Sequence, residues 1–65
     1  MSKFTLKGAR VNSNYTQEAV AKLMGKGKQT ICNWERGKTR ISAENLKRLC
    51  DIYGLKQDDI ILPST

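Results

Sequence analysis

Apolar residues recur at helical spacing in short segments of the chain, and each segment is bounded by polar residues or glycine. After Thr16, Val20 and Met24 lie one helical turn apart, and Ala21 extends the same face. Apolar residues at i, i+3 and i+4 are typical of an amphipathic helix. Leu23 falls outside this stripe, so we expect its side chain to be partly exposed.

A second amphipathic helix is predicted from about Lys28 to Arg36. Ile31 and Trp34 are three positions apart and share a face with Glu35, so this side of the helix is expected to pack inward. The opposite side is polar and cationic, and its donors and acceptors are of the kinds that contact base edges. This polar side consists of Lys28, Gln29, Cys32, Asn33 and Arg36.

Capping residues separate the two helices. The Thr16 hydroxyl can accept a hydrogen bond from a free backbone N–H of the first turn. Gly25 stands where a left-handed residue would end the first helix, and Gly27 is an acceptable though weaker N-cap for the second. Gly37 then ends the second helix. Two short helices joined by a tight turn, over about residues 16–37, are typical of a helix-turn-helix unit, whose second helix is presented to a nucleic-acid groove.

Weaker helical patterns flank this unit. Leu6 and Ala9 predict a short helix within residues 3–12, although Gly8 weakens it by roughly 1 kcal/mol relative to alanine. After Ser42, which is a good N-cap, a helix to about Tyr53 is predicted by apolar residues at i, i+3, i+4 and i+7. A last short turn is expected at about residues 57–61 and a loose tail at 62–65. The whole chain, residues 1–65, is interpreted as one domain.

Charge is distributed unevenly along the chain. The net charge is +6, and residues 1–40 hold nine of the twelve Lys and Arg residues with only Glu18 and Glu35 as acids, a net +7. The remaining residues carry a net −1. A basic half on a folded domain favours a polyanionic partner, and the alternative is a cationic surface kept for solubility.

Other classes of function lack the residues they need. With 65 residues and one small core, a large enclosed catalytic pocket is not expected, and the chain has no histidine. Gly37-Lys38-Thr39 has the end of a phosphate-binding loop, but Cys32 occupies the required upstream glycine position. We expect neither an enzyme nor a cofactor. Cys32 and Cys50 alone do not complete an ordinary zinc site, so no metal is expected either.

The expected location is the cytoplasm. No apolar run approaches the ~20 residues that a membrane span needs, and the first residues lack the apolar stretch of a signal peptide. The two cysteines are accordingly expected to be reduced thiols. No membrane association is predicted.

Glu35 is expected to have a structural role. It is the only acid in a basic segment, and it lies on the inner side of its helix beside Trp34. A partly buried carboxylate requires a partner, and a cation of the first helix such as Arg10 could hold the two helices together.

Four segments of the chain together resemble the Cro/repressor-type (lambda-repressor-like) helix-turn-helix family. The match covers about residues 4–61 without a gap. The segments are Leu6-Lys7-x-Ala9-Arg10, Tyr15-Thr16-Gln17-Glu18-x-Val20-Ala21-x-x-Met24-Gly25, Thr30-Ile31-x-x-Trp34-Glu35-Arg36-Gly37-Lys38 and Leu46-x-x-Leu49-Cys50-x-x-Tyr53-Gly54-Leu55.

This resemblance implies an all-α, compact five-helix domain that binds double-stranded operator DNA, usually as a homodimer. It implies that Gln17 contacts a phosphate, that Lys28, Gln29 and Asn33 contact bases, and that Thr30 contacts backbone or base. An Arg10–Glu35 pair is common in the family. We assign further phosphate contacts to Lys26, Arg36, Lys38 and Arg40 because of their charge. Lys26 and Gly27 depart from the family pattern, which usually has an apolar residue and often a Ser/Thr cap there.

The predicted function is therefore a sequence-specific DNA-binding transcription regulator of the kind of a small Cro-like phage or prophage repressor, without a small-molecule ligand. The alternative is a protein-interaction module or antitoxin-type adaptor with the same fold. The polar outer side of the second helix argues against it, because apolar and aromatic anchors are absent there.

Overall fold

The computed structural model of the protein describes residues 3–62, so residues 63–65 of the expected tail lie outside the described part. A two-residue strand begins the fold, four α-helices follow, and a 3₁₀ turn leads into a second short strand. In chain order these are β1 (Phe4–Thr5), α1 (Leu6–Asn12), α2 (Gln17–Met24), α3 (Lys28–Arg36), α4 (Ala43–Tyr53), the 3₁₀ turn (Gln57–Asp59) and β2 (Ile60–Ile61).

The helices begin and end at residues with suitable local chemistry. Thr16 Oγ1 accepts from Ala19 N at 3.0 Å and Ser42 Oγ accepts from Asn45 N at 3.2 Å, which confirms both predicted N-caps. The C-caps of α2, α3 and α4 are glycines in the left-handed region, where a side chain would be strained. Helix α1 has an N-cap that was not predicted, Thr5, whose Oγ1 accepts from Gly8 N at 3.0 Å.

One apolar core lies between the four α-helices. Each helix contributes fully buried side chains, and the largest of these are Leu6, Val20, Ile31 and Leu49. Leu23 remains 54% exposed, as its position outside the stripe predicted. Because α2 and α3 pack directly on each other, burial of one helix fixes the position of the other.

The predicted five-helix, all-α architecture is corrected at its last element. Among residues 3–62 there are four α-helices, and the expected fifth is a three-residue 3₁₀ turn closed by Asp59 N donating to Lys56 O at 2.9 Å. The β-branched Ile60 and Ile61 that follow favour extended backbone. They pair in parallel with β1, Phe4 opposite Ile60 and Thr5 opposite Ile61. This pairing binds the two ends of the described chain together.

No helix in the described residues is both long and apolar enough to cross a lipid bilayer.

Candidate nucleic-acid interface

The turn between α2 and α3 sets the direction in which α3 leaves the core. Gly25 has φ 68°, and the next residue, Lys26, donates its backbone N–H back to Ala21 O at 2.9 Å. Gly27 is the N-cap of α3 with extended backbone but offers no side-chain hydrogen bond. Burial of Ile31 and Trp34 holds the inner side of α3 against the core. The outer side of α3 is consequently turned to solvent.

A buried ion pair joins α1 to α3. Arg10 Nε donates to Glu35 Oε2 at 2.7 Å, and Arg10 Nη2 donates to Glu35 Oε1 at 3.3 Å. The third guanidinium nitrogen, Nη1, donates to the carbonyl of Tyr15 at 2.9 Å, just before α2 begins. The structure thus brings together the two residues predicted to pair, and the same arginine also holds the start of α2.

Gln17 is bonded to this ion pair as well. Its Nε2 donates to Glu35 Oε1 at 3.0 Å, and its side chain is half-buried at the first position of α2. Gln17 was predicted to contact a phosphate, and its bond to Glu35 was not predicted. The amide still has one N–H and its carbonyl oxygen uncommitted within the described contacts.

The ion pair also affects the titration of its surroundings. The hydrogen bond that Arg10 donates to Glu35 raises the pKa of the Arg10 guanidinium. Burial, and secondarily the negative charge of Glu35, raises the pKa of the Tyr53 phenol to about 12. Tyr53 is only 7% exposed, and its ring centroid lies 6.2 Å from that of Tyr15. Arginine and tyrosine are protonated at neutral pH without these shifts, so the raised pKa values matter only in strongly alkaline solution.

The predicted base-contacting residues occupy the outer side of α3. Lys28 and Gln29 are exposed, while Thr30 and Asn33 are half-buried. Gln29 Nε2 donates to Asn33 Oδ1 at 2.9 Å, so these two side chains meet across one helical turn. This bond was not predicted, although side chains four positions apart on a helix lie close enough to interact.

The predicted phosphate-contacting cations surround α3. Lys26 lies in the turn before it, Arg36 in its last turn, and Lys38 and Arg40 in the loop after it; all four are exposed. Gly37 has φ 74°, and the Lys38 backbone N–H donates to Asn33 O at 2.9 Å, which sets the course of the loop. Cations therefore lie before, on and after the helix that carries the candidate base contacts.

Comparison with known protein families shows which family the chain belongs to. The family model described as helix-turn-helix matches residues 6–60, from the first residue of α1 to the first residue of β2. The chain belongs to the Cro/repressor-type helix-turn-helix family. No curated protein matches the chain.

Within this helix-turn-helix protein, α2 and α3 are the two helices of the motif. The family is one of DNA-binding regulators, so DNA is the partner of the domain. Among the described residues no cluster of three or more side chains is arranged to hold a metal ion.

Glu18 of α2 lies close to Lys28, a candidate base-contacting residue of α3. Glu18 Oε1 is 3.9 Å from Lys28 Nζ, and the two side chains are 76% and 61% exposed. A contact between exposed charges stabilises the fold little. Its interest lies instead in its position, because Lys28 is one of the candidate base-contacting residues. This contact was not predicted, because the two residues lie ten positions apart in different helices.

Proposed function

We propose that the protein is a sequence-specific regulator of transcription that binds a palindromic operator as a homodimer, with α3 in the major groove. The observation that carries the proposal is the outer side of α3, where amide and cationic side chains are exposed on a helix anchored from its other side. Side chains of these kinds match the donor and acceptor pattern that base pairs present in the major groove.

Base contacts are assigned to Lys28, Gln29, Thr30 and Asn33. The ammonium of Lys28 matches guanine O6 and N7, and a glutamine amide matches the acceptor and donor of adenine. Thr30 and Asn33 are less exposed and lie at the side of the same surface. These residues are the source of sequence preference in this proposal.

Phosphate contacts are assigned to the surrounding cations and to Gln17. Such contacts fix the register of the protein on the duplex and contribute no sequence preference. Charge supports the assignment: Lys26, Arg36, Lys38 and Arg40 have no ion-pair partner within 4.0 Å among the described residues. The Gln17 amide would use its uncommitted N–H, with Glu35 holding the side chain in place.

A dimer is proposed because a single α3 contacts only a few base pairs. Two copies on half-sites about one helical turn (~34 Å) apart would double the contacts and would favour a palindrome. Analytical ultracentrifugation with a selected duplex tests this point, and two chains per duplex is the expected stoichiometry.

The central experiment selects bound sequences from a random duplex pool and then compares variants on the selected operator and on random DNA. Gln29→Ala is expected to cost about 1–3 kcal/mol on the operator and to relax preference at one position per half-site. Lys38→Ala is expected to weaken both DNAs alike and to lower the salt dependence by about one charge. Lys47→Ala, an exposed cation on α4, is the control and should change neither.

Two outcomes would contradict the proposal. If the protein showed no salt-dependent DNA binding, the fold would serve a protein partner instead. If both Gln29→Ala and Lys38→Ala weakened operator and random DNA equally, α3 would not carry the sequence preference.

A further inference from the structure

The contact between Gln29 and Asn33 places two amides of the candidate interface in one hydrogen-bonded unit. Gln29 Nε2 is the donor and Asn33 Oδ1 the acceptor, at 2.9 Å. Gln29 is exposed, whereas Asn33 is half-buried at the side of α3. Asn33 therefore holds the side chain of Gln29 in place. Because Gln29 is the donor, its Nε2 lies towards Asn33 and the orientation of its amide is fixed.

This bond limits what Gln29 can offer to a base. A glutamine amide has two N–H donors and one carbonyl acceptor. With one N–H donated to Asn33, a single N–H and the Oε1 acceptor remain. Adenine presents one acceptor, N7, and one donor, N6–H₂, in the major groove, and so matches the remaining pair. Guanine presents two acceptors, N7 and O6, and O6 would face the Gln29 oxygen without a hydrogen between them.

We infer that Asn33 is a positioning residue that makes Gln29 select adenine over guanine. This inference rests on the proposed contact of Gln29 with a base. Without the Asn33 acceptor, the Gln29 amide is free to turn both N–H groups outward and to donate to guanine N7 and O6. Loss of Asn33 therefore broadens the base preference at the position that Gln29 contacts, in addition to any effect at its own position.

The experiment measures binding to four duplexes that differ only at the base pair identified by the Gln29→Ala variant. For the unchanged protein, adenine is expected to be preferred over guanine by about tenfold, the lower part of the range for a bidentate contact. Asn33→Ala should reduce the difference in affinity between the adenine and guanine duplexes to about twofold, mainly because the guanine duplex is then bound relatively more tightly. Circular dichroism verifies that this variant is folded, as a change at an outer position of α3 should allow.

Two further variants separate positioning from general effects. Asn33→Asp keeps an oxygen acceptor for Gln29, so the adenine preference should survive although the added negative charge weakens all four duplexes. Arg36→Ala should lower affinity for all four duplexes and leave their ratio unchanged.

The results of these measurements distinguish failure of the inference from failure of the proposed function. A guanine preference in the unchanged protein, or an adenine preference that Asn33→Ala leaves intact, overturns the inference while the proposed function stands. If selection yields no preferred sequence, the proposed function fails and the inference fails with it. Retention of the adenine preference in Asn33→Asp together with its loss in Asn33→Ala supports the inference.

Discussion

Gln17 Nε2 lies 3.0 Å from Glu35 Oε1, so the first residue of α2 is hydrogen-bonded to a carboxylate on the inner side of α3. The same carboxylate accepts two bonds from Arg10 of α1. Three helices therefore meet at Glu35, whose side chain is only 4% exposed. Together with the buried Ile31 and Trp34, this one acid fixes the position of the candidate DNA-contacting helix.

Loss of Arg10 alone should destabilise the fold strongly. Arg10→Met strands the buried Glu35 carboxylate and leaves the Tyr15 carbonyl without its donor, and we expect a loss of about 3–5 kcal/mol in the free energy of unfolding. The measurement is urea denaturation followed by circular dichroism. In the double variant Arg10→Met, Glu35→Leu no charge is stranded, and most of this loss should be recovered. Equal instability of the single and double variants would show that the pair itself, rather than the stranded charge, dominates.

Substitutions at the two glycines of the turn should change the stability of the fold in opposite directions. A Cβ at Gly25 would meet no atom within 4 Å, so Gly25→Ala is strained only by its φ of 68° and should cost about 1–2 kcal/mol. Gly27→Ser places a hydroxyl at the N-cap of α3, where φ is −83° and the space is also open. We expect a gain of a few tenths of a kcal/mol. Thermal unfolding of both variants measures the difference, and a loss on Gly27→Ser would mean that its hydroxyl does not reach a first-turn N–H.

Removal of Glu18 should tighten DNA binding. Glu18→Gln releases Lys28 and removes a negative charge beside the candidate interface, so affinity should rise and the salt dependence should steepen by about one charge. Glu44→Gln is a matched control, because both acids are exposed at the second position of their helices, α2 and α4. An equal increase with Glu44→Gln would attribute the effect to net charge alone.

Alkaline pH should weaken the fold through Tyr53. Its pKa is about 12 in the folded protein and about 10 in an unfolded chain, so between these values the folded state retains a proton that the unfolded state releases. The contribution is fully present below pH 10 and is lost as pH rises to 12, a fall of about 2–3 kcal/mol in the free energy of unfolding. In the Tyr53→Phe variant, which has no phenol to titrate, the free energy of unfolding should fall by correspondingly less between pH 10 and pH 12. Parallel curves for the two proteins would contradict the assignment.

The helices could be predicted from the sequence because their signals are local. Thr16, Ser42 and the three C-cap glycines act through their own backbone neighbours, and the apolar spacing of α2, α3 and α4 lies within each segment. The pairing of β1 with β2 has no such signal, because each strand has two residues and its partner lies at the far end of the chain. Propensity alone does not join segments at that distance.

Of the contacts around Glu35, one was predictable from the sequence and one was not. The Arg10–Glu35 pair could be expected because a buried acid requires a cation, and the structure contains it. The bond from Gln17 to Glu35 was missed because the polar Gln17 was assigned wholly to the outside. Only the packing of α2 on α3 places its amide within reach of the buried carboxylate.

The parallel pairing of β1 and β2 has a consequence for biosynthesis. Phe4 and Ile60 are 56 positions apart, so on a ribosome the first strand emerges long before its partner has been translated. Helices α1 to α3 and both residues of the Arg10–Glu35 pair lie within the first 36 residues, but the core that holds them also contains Leu49 and Tyr53 of α4. Closure of the two strands must wait until residues 60–61 have left the exit tunnel. The strand pairing is therefore among the last contacts of residues 3–62 to form on a ribosome.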